Sequence, residues 1–493
     1  MRALLLSLCD DLAVANDPVP SGLCRTIAQR LELRDFDHWK VVGWIEGLND
    51  FVYFLDVRTQ FVRERDRQGF AEQLLADAQE KFYENSYLDD LFPVRRPEPA
   101  RLTKRLANLC ARLAEELTQE ALFLVPEAAC AWLHESGRRR WSCSGTLAAQ
   151  LERAELAGTI PVGLDGAYLA APPWFRRALQ RSDSRVSFVV SPRAVHIQAG
   201  KETTRLFTAD AATPWEWTLT PPRYLIAPNA QWPRGLTLGP TLRYDRQRIA
   251  RTVHRSSPEL MVQLQRALAS LAQAWPQGFE LLATLTSRIV PLHARGVVSF
   301  SYRHRPGISY INLFERQGLD TIDDLIHENS HHHLNLLLRK HVMYGGDGNQ
   351  EIFYSPWRRS LRPLRGILHA TFTFTMGALL FERLAEWGRS KRSAWRNAGL
   401  TSRDVQRAHF RCLEETESVR YSLQDLAYAD RECGWIPAAG RRLVRQLAEE
   451  MAAVQSAASR FPRVIAGTSF ARAFAAHRKE LHTARHTYGP MEL

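Results

Sequence analysis

The sequence predicts an α+β fold that is mostly helical, with a small mixed β-sheet packed on a metal-binding helix. Three observations predict this fold. Leucines recur at spacings of three and four over residues 102–124, short strand-like segments occupy residues 185–250 and 297–314, and a helix with clear end signals follows at residues 321–341. We expect a helical region at 1–180, a β-rich region at 181–275 that binds peptide, and an HExxH catalytic domain at 276–493.

Composition limits the classes of protein that fit. The chain has 493 residues, of which 45% are hydrophobic and 24% are charged, so most of it should fold. Its net charge of +12 predicts an acidic partner, but no nucleic-acid motif accompanies the charge and we expect no nucleic-acid binding. No apolar run of about 18 residues is evident, so we expect no membrane contact. Seven cysteines without a CxxC pair argue against disulfides and favour the cytoplasm.

The predicted elements follow in order along the chain. The apolar start Met1–Cys9 is interrupted by two aspartates, which favours the first turns of a helix over a signal peptide. A β-hairpin is predicted where Val186–Val190 and Ala194–Ile197 flank a proline turn, and a helix is predicted at about Pro258–Ala274. A second hairpin, Val297–Tyr302 with Ile308–Leu313, precedes the helix that carries the chemistry.

The helix predicted at 321–341 contains an HExxH motif. Thr321 and Asp324 predict a capping box at its start, and basic residues at its end suit the helix dipole. His327 and His331 lie one turn apart on one face, so both imidazoles can reach one metal ion. Glu328 is rotated about 100° from His327, where it can act on a metal-bound water or orient a ligand.

The third metal ligand remains open on spacing alone. The extended HExxHxxGxxH form is excluded, because leucines occupy its glycine and histidine positions. Glu382 or Glu386 could supply a carboxylate, and His369 could supply a third imidazole. Glu382 would lie about 20 Å along and about 140° around the same predicted helix from His369, so the two cannot share an ion. We favour His369 and interpret Glu382 as part of a solvated face.

The C-terminal half resembles a known family. A hairpin, an HExxH helix and the segment YSPWRRSLRPLRGILH at residues 354–369 follow one another. This order resembles the HExxH-motif peptide-modification proteins of bacterial ribosomal natural-product pathways, over roughly residues 285–440. Members of that family are iron(II)- and 2-oxoglutarate-dependent peptide β-hydroxylases. The resemblance implies that His327, His331 and His369 are the iron ligands.

The donor set suits the chemistry that the resemblance implies. Three imidazoles leave three positions of an octahedral Fe(II), two for 2-oxoglutarate and one for dioxygen. Arg358 or Arg362, with Arg365 in reserve, could hold the distal carboxylate of the cosubstrate. The sequence thus predicts a hydroxylase of a ribosomally made precursor peptide, with an acidic leader as a further expected feature and with Glu328 orienting the substrate.

Two other functions remain open at this point. In a zinc metallopeptidase, Glu328 would be the general base and a downstream glutamate the third ligand. In a structural metal protein, all positions on the ion would be filled by the protein, whereas a set of three ligands leaves some open and favours catalysis.

Overall fold

The fold is a mostly helical α+β arrangement with a small mixed sheet, as the sequence predicts. The computed structural model describes residues 1–14, 21–81, 87–125, 258–303, 306–346 and 350–489. It also describes shorter segments, at 140–143, 159–162, 167–170, 186–191, 194–199, 201–208, 219–220, 223–232, 235–239, 241–244 and 250–253. The chain forms two compact units, and the predicted boundary at residue 180 lies outside the described residues.

The first unit comprises Met1–Pro228, Thr237–Arg255 and Tyr302–Ile308. Its helices are α1 (Arg2–Val14), α2 (Ser21–Arg30), α3 (Trp39–Arg63), α4 (Arg67–Lys81), α5 (Tyr87–Leu91) and α6 (Pro99–Leu124). The predictions of a helix at the start of the chain and of a leucine-rich helix are confirmed by α1 and α6. The leucine stripe of α6 is buried in the helical core, where the Trp44 indole of α3 donates to the Leu117 carbonyl at 2.9 Å.

Short antiparallel strands follow in the first unit. They are β1 (Arg140–Cys143), β2 (Thr159–Val162), β3 (Ala167–Ala170), β4 (Val186–Ser191), β5 (Ala194–Ala199), β6 (Glu202–Thr208), β7 (Leu219–Thr220), β8 (Arg223–Ile226), β9 (Leu236–Leu238, which straddles the unit boundary), β10 (Thr241–Tyr244) and β11 (Ala250–Val253). One sheet has the order β1-β4-β5-β6 and another has the order β2-β3-β7. The first predicted hairpin is confirmed by the β4–β5 pair, although its turn residues Pro192 and Arg193 lie outside the described residues.

The second unit comprises Asn229–Leu236, Ser256–Ser301 and Ser309–Leu493. Its helices are α7 (Pro258–Ala274), α8 (Pro276–Leu285), α9 (Gly318–Lys340), α10 (Leu364–Ser390), α11 (Arg392–Asn397), α12 (Ser402–Arg431), α13 (Ala438–Ala457), α14 (Phe461–Ile465) and α15 (Ser469–Tyr488). The helix predicted at Pro258–Ala274 is confirmed as α7. Helices α10 and α12 pack along one another, α9 lies against α10, and α13, α14 and α15 pack on α12.

Two small strand groups flank these helices. The strands β12 (Arg288–His293), β14 (Ile308–Asn312) and β13 (Phe300–Ser301) lie side by side in that order, and β13 packs on α9. The second predicted hairpin is confirmed by the β13–β14 pair, in which Phe300 is stacked on Tyr310 at 4.4 Å. Its first strand is shorter than predicted. A further hairpin, β15 (Phe353–Ser355) with β16 (Ser360–Arg362), precedes α10.

The start of α9 differs from the prediction. The helix begins at Gly318, where Gln317 and Asp320 form a reciprocal capping box. Thr321, which we expected to cap the helix, is buried inside it, and its hydroxyl donates to the Gln317 carbonyl at 3.2 Å. The prediction of a capping box formed by Thr321 and Asp324 was wrong, because the residue that bonds back to the cap is Asp320, which precedes Thr321.

Helix α10 is more apolar than the sequence analysis recognised. Among the described residues, it is the helix long and apolar enough by composition to cross a membrane, with a mean hydropathy of 1.3 over its most apolar window. Within that window, 61% is buried inside the protein, which is ordinary for a core helix. Threonines spaced through the window concealed it in the sequence. Two of them, Thr371 and Thr375, donate to carbonyls one turn earlier, so their hydroxyls are satisfied within the helix.

Candidate metal centre

Three histidines adjoin one another where α9 and α10 pack. The His327 and His331 rings lie on one face of α9 with their centroids 5.0 Å apart, as the helical spacing requires. His369, two turns into α10, lies with its ring centroid 6.1 Å from that of His331. The structure therefore brings together the three imidazoles that the sequence analysis favoured as metal ligands.

The two α9 imidazoles are held in the neutral form. Desolvation by burial lowers the pKa of His327, although the charge of Asp323, one turn earlier, opposes this effect. Burial lowers the pKa of His331 still further below its usual value, with additional contributions from the neighbouring His327 and His369. A neutral imidazole has a nitrogen lone pair available, which is the form that binds a metal.

The positions of the rings allow a test of whether a metal fits. Two imidazoles bonded to one ion at about 2.1 Å hold their centroids roughly 4.5–6.5 Å apart, for ligand angles between about 90° and 180°. Both observed separations, 5.0 and 6.1 Å, fall in this range. As the side chains stand, no three His, Cys, Asp or Glu groups of the described residues converge closely enough to hold an ion. The donors thus fit by type, and two of their three ring separations are compatible with a shared ion. Rotation about χ1 or χ2 has to aim the nitrogens at one point.

The HExxH glutamate faces the sheet. Glu328 is only 3% exposed, and its carboxylate accepts a hydrogen bond from the Ser301 hydroxyl of β13 at 2.8 Å. Asp324, one turn earlier on the same side, accepts from Ser299 at 2.7 Å. Burial raises the pKa of Asp324 to about 6. This side of α9 is therefore hydrogen-bonded to β13 and to the residues just before it. Glu328 lies about a quarter turn around the helix from His327.

The next two histidines of α9 have other partners. His332 is buried, and its Nε2 lies 3.1 Å from the Ser309 hydroxyl of β14. The His333 ring meets the edge of Phe372 of α10 at 5.3 Å. Both histidines thus have partners outside the group of His327, His331 and His369.

Glu382 is separated from the three histidines but is not solvated. It is 8% exposed, pairs with Arg383 at 3.2 Å, and its charge adds to the burial that raises the pKa of the Cys412 thiol of α12. Our interpretation of this residue as part of a solvated face was wrong, because the long α12 covers that side of α10. It lies about 20 Å along α10 from His369. Glu386, the other acidic candidate, pairs with Arg389 and is exposed.

The three candidate cosubstrate arginines lie on the β15–β16 hairpin and on the first turn of α10. Arg358 is exposed at the β15–β16 connection, and its positive charge adds to the burial that lowers the pKa of His327 and of His331. The Arg362 side chain lies over Gly366, at the first turn of α10. Arg365 is partly buried on that same turn. Which of these three residues binds the cosubstrate stays a prediction.

Sequence reasoning missed the aromatic wall beside the histidines. The Trp357 and Phe374 rings are stacked at 4.2 Å with an interplanar angle of 6°, and Phe374 lies 5.1 Å from the His327 ring. The Trp357 indole N–H donates to Glu415 of α12 at 2.8 Å. Trp357 stands in the segment that carries the family resemblance, but no local pattern connects it to a glutamate 58 positions later.

Comparisons with known proteins leave the family resemblance as a prediction. No protein-family model matches this chain, and no curated protein matches it. What the protein does is therefore argued below from its own residues and from that resemblance.

Proposed function

We propose that this protein is an Fe(II)- and 2-oxoglutarate-dependent hydroxylase that modifies a residue of a ribosomally synthesised precursor peptide. The observation that carries the proposal is the grouping of His327, His331 and His369, with ring centroids 5.0 and 6.1 Å apart. A site of three imidazole donors leaves open positions for a bidentate 2-oxo acid and for dioxygen.

The residues around the histidines support this reading. Iron bound there would supply dioxygen activation, with 2-oxoglutarate oxidised to succinate and carbon dioxide while one oxygen atom enters a C–H bond of the peptide. Arg358, with Arg362 and Arg365 as alternatives, would bind the distal carboxylate of the cosubstrate, since all three lie on the hairpin and helix start that precede His369. Trp357 and Phe374 would exclude water from the side of His327.

A precursor peptide as substrate rests mainly on the family resemblance. The net charge of +12 adds a physical reason, because a basic protein attracts an acidic peptide or leader over a distance of several ångströms. The exposed faces of α13 to α15 carry arginines and lysines that pair with no carboxylate of the described residues, among them Arg442, Arg445, Arg463, Arg472 and Lys479.

The zinc peptidase receives less support from the same residues. Its general base would have to reach a metal-bound water, whereas Glu328 is buried and accepts a hydrogen bond from Ser301. Its carboxylate ligand would have to lie next to His327 and His331, whereas Glu382 lies far along α10 and is covered by α12.

Anaerobic reconstitution with Fe(II) tests the proposal. Adding 2-oxoglutarate to the iron-loaded protein should produce a visible charge-transfer band that disappears when oxygen is admitted, with succinate as a product. The triple variant His327→Ala, His331→Ala, His369→Ala is the control and should give no band. Tight binding of zinc, no band with iron, and cleavage of a generic peptide mixture would instead establish the peptidase.

A further inference from the structure

The last two turns of α15 carry a pair of exposed histidines, His482 and His486. They are one turn apart, on the side of the helix opposite the buried Leu481 and Ala484. Their ring centroids lie 4.7 Å apart with an interplanar angle of 65°. Helix α15 packs on α12, whereas the three-histidine site lies where α9 and α10 pack. The pair is therefore a second group of metal-ligating side chains.

The nitrogens of this pair are available to a ligand. Among the described residues, neither imidazole has a hydrogen-bond or ion-pair partner, and the two rings contact one another. The acidic residue of α15, Glu480, is bound by Arg359 of the β15–β16 hairpin at 2.9 Å. Arg485, which lies between the two histidines in the sequence, donates to the Tyr421 carbonyl at 2.7 Å. These charged neighbours therefore do not compete for the imidazoles.

The position of the pair on the helix favours a bound cation. Helix α15 ends at Tyr488, and the unpaired carbonyl groups of the last turn carry a partial negative charge. Arg478 and Lys479, about one turn before His482, act in the opposite direction. Both are exposed, so water and salt screen much of their repulsion.

The separation of the two rings indicates the kind of ion that fits. With a metal–nitrogen distance of about 2.1 Å, two imidazoles at right angles on one ion hold their centroids about 4.6 Å apart. A tetrahedral angle would require about 5.3 Å. The observed 4.7 Å corresponds to adjacent positions on a tetragonal or octahedral ion. Cu(II) and Ni(II) take these geometries and bind imidazole nitrogen well.

We propose that His482 and His486 form a second metal site, which binds one Cu(II) or Ni(II) ion with water in its remaining positions. The inference goes beyond the proposed function and does not depend on it, because the pair shares no residue with the three-histidine site.

A bound ion would also stabilise the end of α15. It would join two successive turns of the helix, and the second of them carries Arg485 and Tyr488. Arg485 contacts Asp425 of α12, and Tyr488 is stacked on Tyr354 of β15 at 5.2 Å. Opening of this last turn breaks these contacts and separates the two imidazoles, so the ion favours the closed form.

Titration with Cu(II), followed by electron paramagnetic resonance, tests the inference. The wild type is compared with H482Q, H486Q and the variant that carries both changes. The wild-type spectrum should include an ion with two imidazole nitrogens at this site. Each single variant should raise the dissociation constant of that ion by more than about tenfold, since only one imidazole remains. Both positions are exposed, so these variants should keep the fold.

Two controls accompany the titration. H341Q removes a single exposed histidine just after α9 and should leave the dissociation constant of the α15 ion unchanged. The triple variant that lacks His327, His331 and His369 should still bind this ion, with the same spectrum. Hydrogen exchange of the last turn of α15 should slow about tenfold at a free Cu(II) concentration of about ten times the dissociation constant, but not in H486Q.

Three results would overturn the inference. They are an unchanged dissociation constant in H486Q, an effect of H482Q that H486Q does not share, and loss of all Cu(II) binding in a folded triple variant. Failure of the proposed function gives a different result. In that case the wild type would show no iron band with 2-oxoglutarate, while the α15 pair would still bind Cu(II).

Discussion

At the scale of single residues, the chemistry of the site depends on which donor joins His327 and His331. The sequence offers His369, Glu382 and Glu386 as candidates for the third ligand. Helical spacing alone shows that His369 and Glu382 cannot bind the same ion. The structure adds that the ring centroids of His369 and His331 lie 6.1 Å apart, whereas Glu382 is covered by α12. The covering could not be predicted, since Glu382 stands among charged residues and its burial depends on a helix that starts 20 positions later.

Removing His369 is expected to remove the metal. His369→Ala should lower the affinity for Fe(II) or Co(II) by more than about 100-fold. Removing a metal ligand costs more affinity than removing a residue that only hydrogen-bonds to a ligand. Glu382→Gln should leave the affinity unchanged. Isothermal titration with Co(II) measures both, and His333→Ala is the matched control, because the His333 ring contacts Phe372. An affinity that falls with Glu382→Gln and survives His369→Ala would reassign the third ligand.

Arg358 is expected to determine cosubstrate affinity. Arg358→Ala should raise the KM for 2-oxoglutarate by roughly 10- to 100-fold, the usual effect of losing a hydrogen bond to a charged group, with a smaller effect on kcat. Arg358→Lys should recover part of the loss, because a lysine keeps the charge but not the planar fork. Arg359→Ala, next to it on the turn, is the control and should leave this KM near the wild type. Steady-state succinate formation gives these values, and a larger effect from Arg362→Ala would move the role to that residue.

At the scale of secondary-structure elements, several helices and both hairpins were predicted from local pattern. The leucine spacing predicted α6, and the proline at its first turn predicted α7. Such local signals are sufficient because a helix that buries one face repeats apolar residues at helical spacing, whatever it packs against. The start of α9 was not predicted, since glutamine is a weak capping signal and the true box uses Gln317 with Asp320. The aromatic wall was also hidden, because a contact such as Trp357 with Glu415 exists only in the folded chain.

We expect Asn312, at the end of β14, to stabilise the segment that leads from β12 to β13. Its buried side chain accepts from the Ala294 and Phe314 N–H groups and donates to the Ala294 and Val297 carbonyls. Asn312→Ala would leave several of these groups unpaired, which should lower the free energy of unfolding of this unit by about 2–4 kcal/mol. Urea denaturation followed by circular dichroism measures the change. The exposed Asn397→Ala should shift it by less than about 0.5 kcal/mol, and equal effects from the two would contradict this account.

At the scale of the whole molecule, buried ionisable groups make stability depend on pH in two opposing ways. Burial raises the pKa of Glu415 and of Asp425 to about 7, from usual values of 4.5 and 3.8. Between about pH 4 and pH 7 the folded protein keeps protons that the unfolded chain releases, so these carboxyls favour folding less as the pH rises. The lowered pKa of His327 and of His331 acts in the other direction, since only the unfolded chain takes up their protons below pH 6.5.

Asp425→Asn isolates one of these contributions. The wild type should lose stability relative to the variant by about 1–4 kcal/mol between pH 4.5 and pH 7.5. Urea denaturation at the two pH values gives the difference. The same difference at both would show that Asp425 is ionised in the folded protein at pH 4.5.

The apolar character of α10 has a consequence for how the protein is made. This helix leaves the ribosome before α12, the partner that covers much of it, has been synthesised. Until residue 431 has emerged, its apolar face is open to chaperones, to other nascent chains and to membrane-insertion machinery. Genetic fragments that stop between α10 and α12 should therefore accumulate as aggregates, whereas fragments that retain α12 should yield dispersed protein. Because His369 lies on α10, we expect the three-histidine site to assemble only after α12 has been synthesised and has packed on α10.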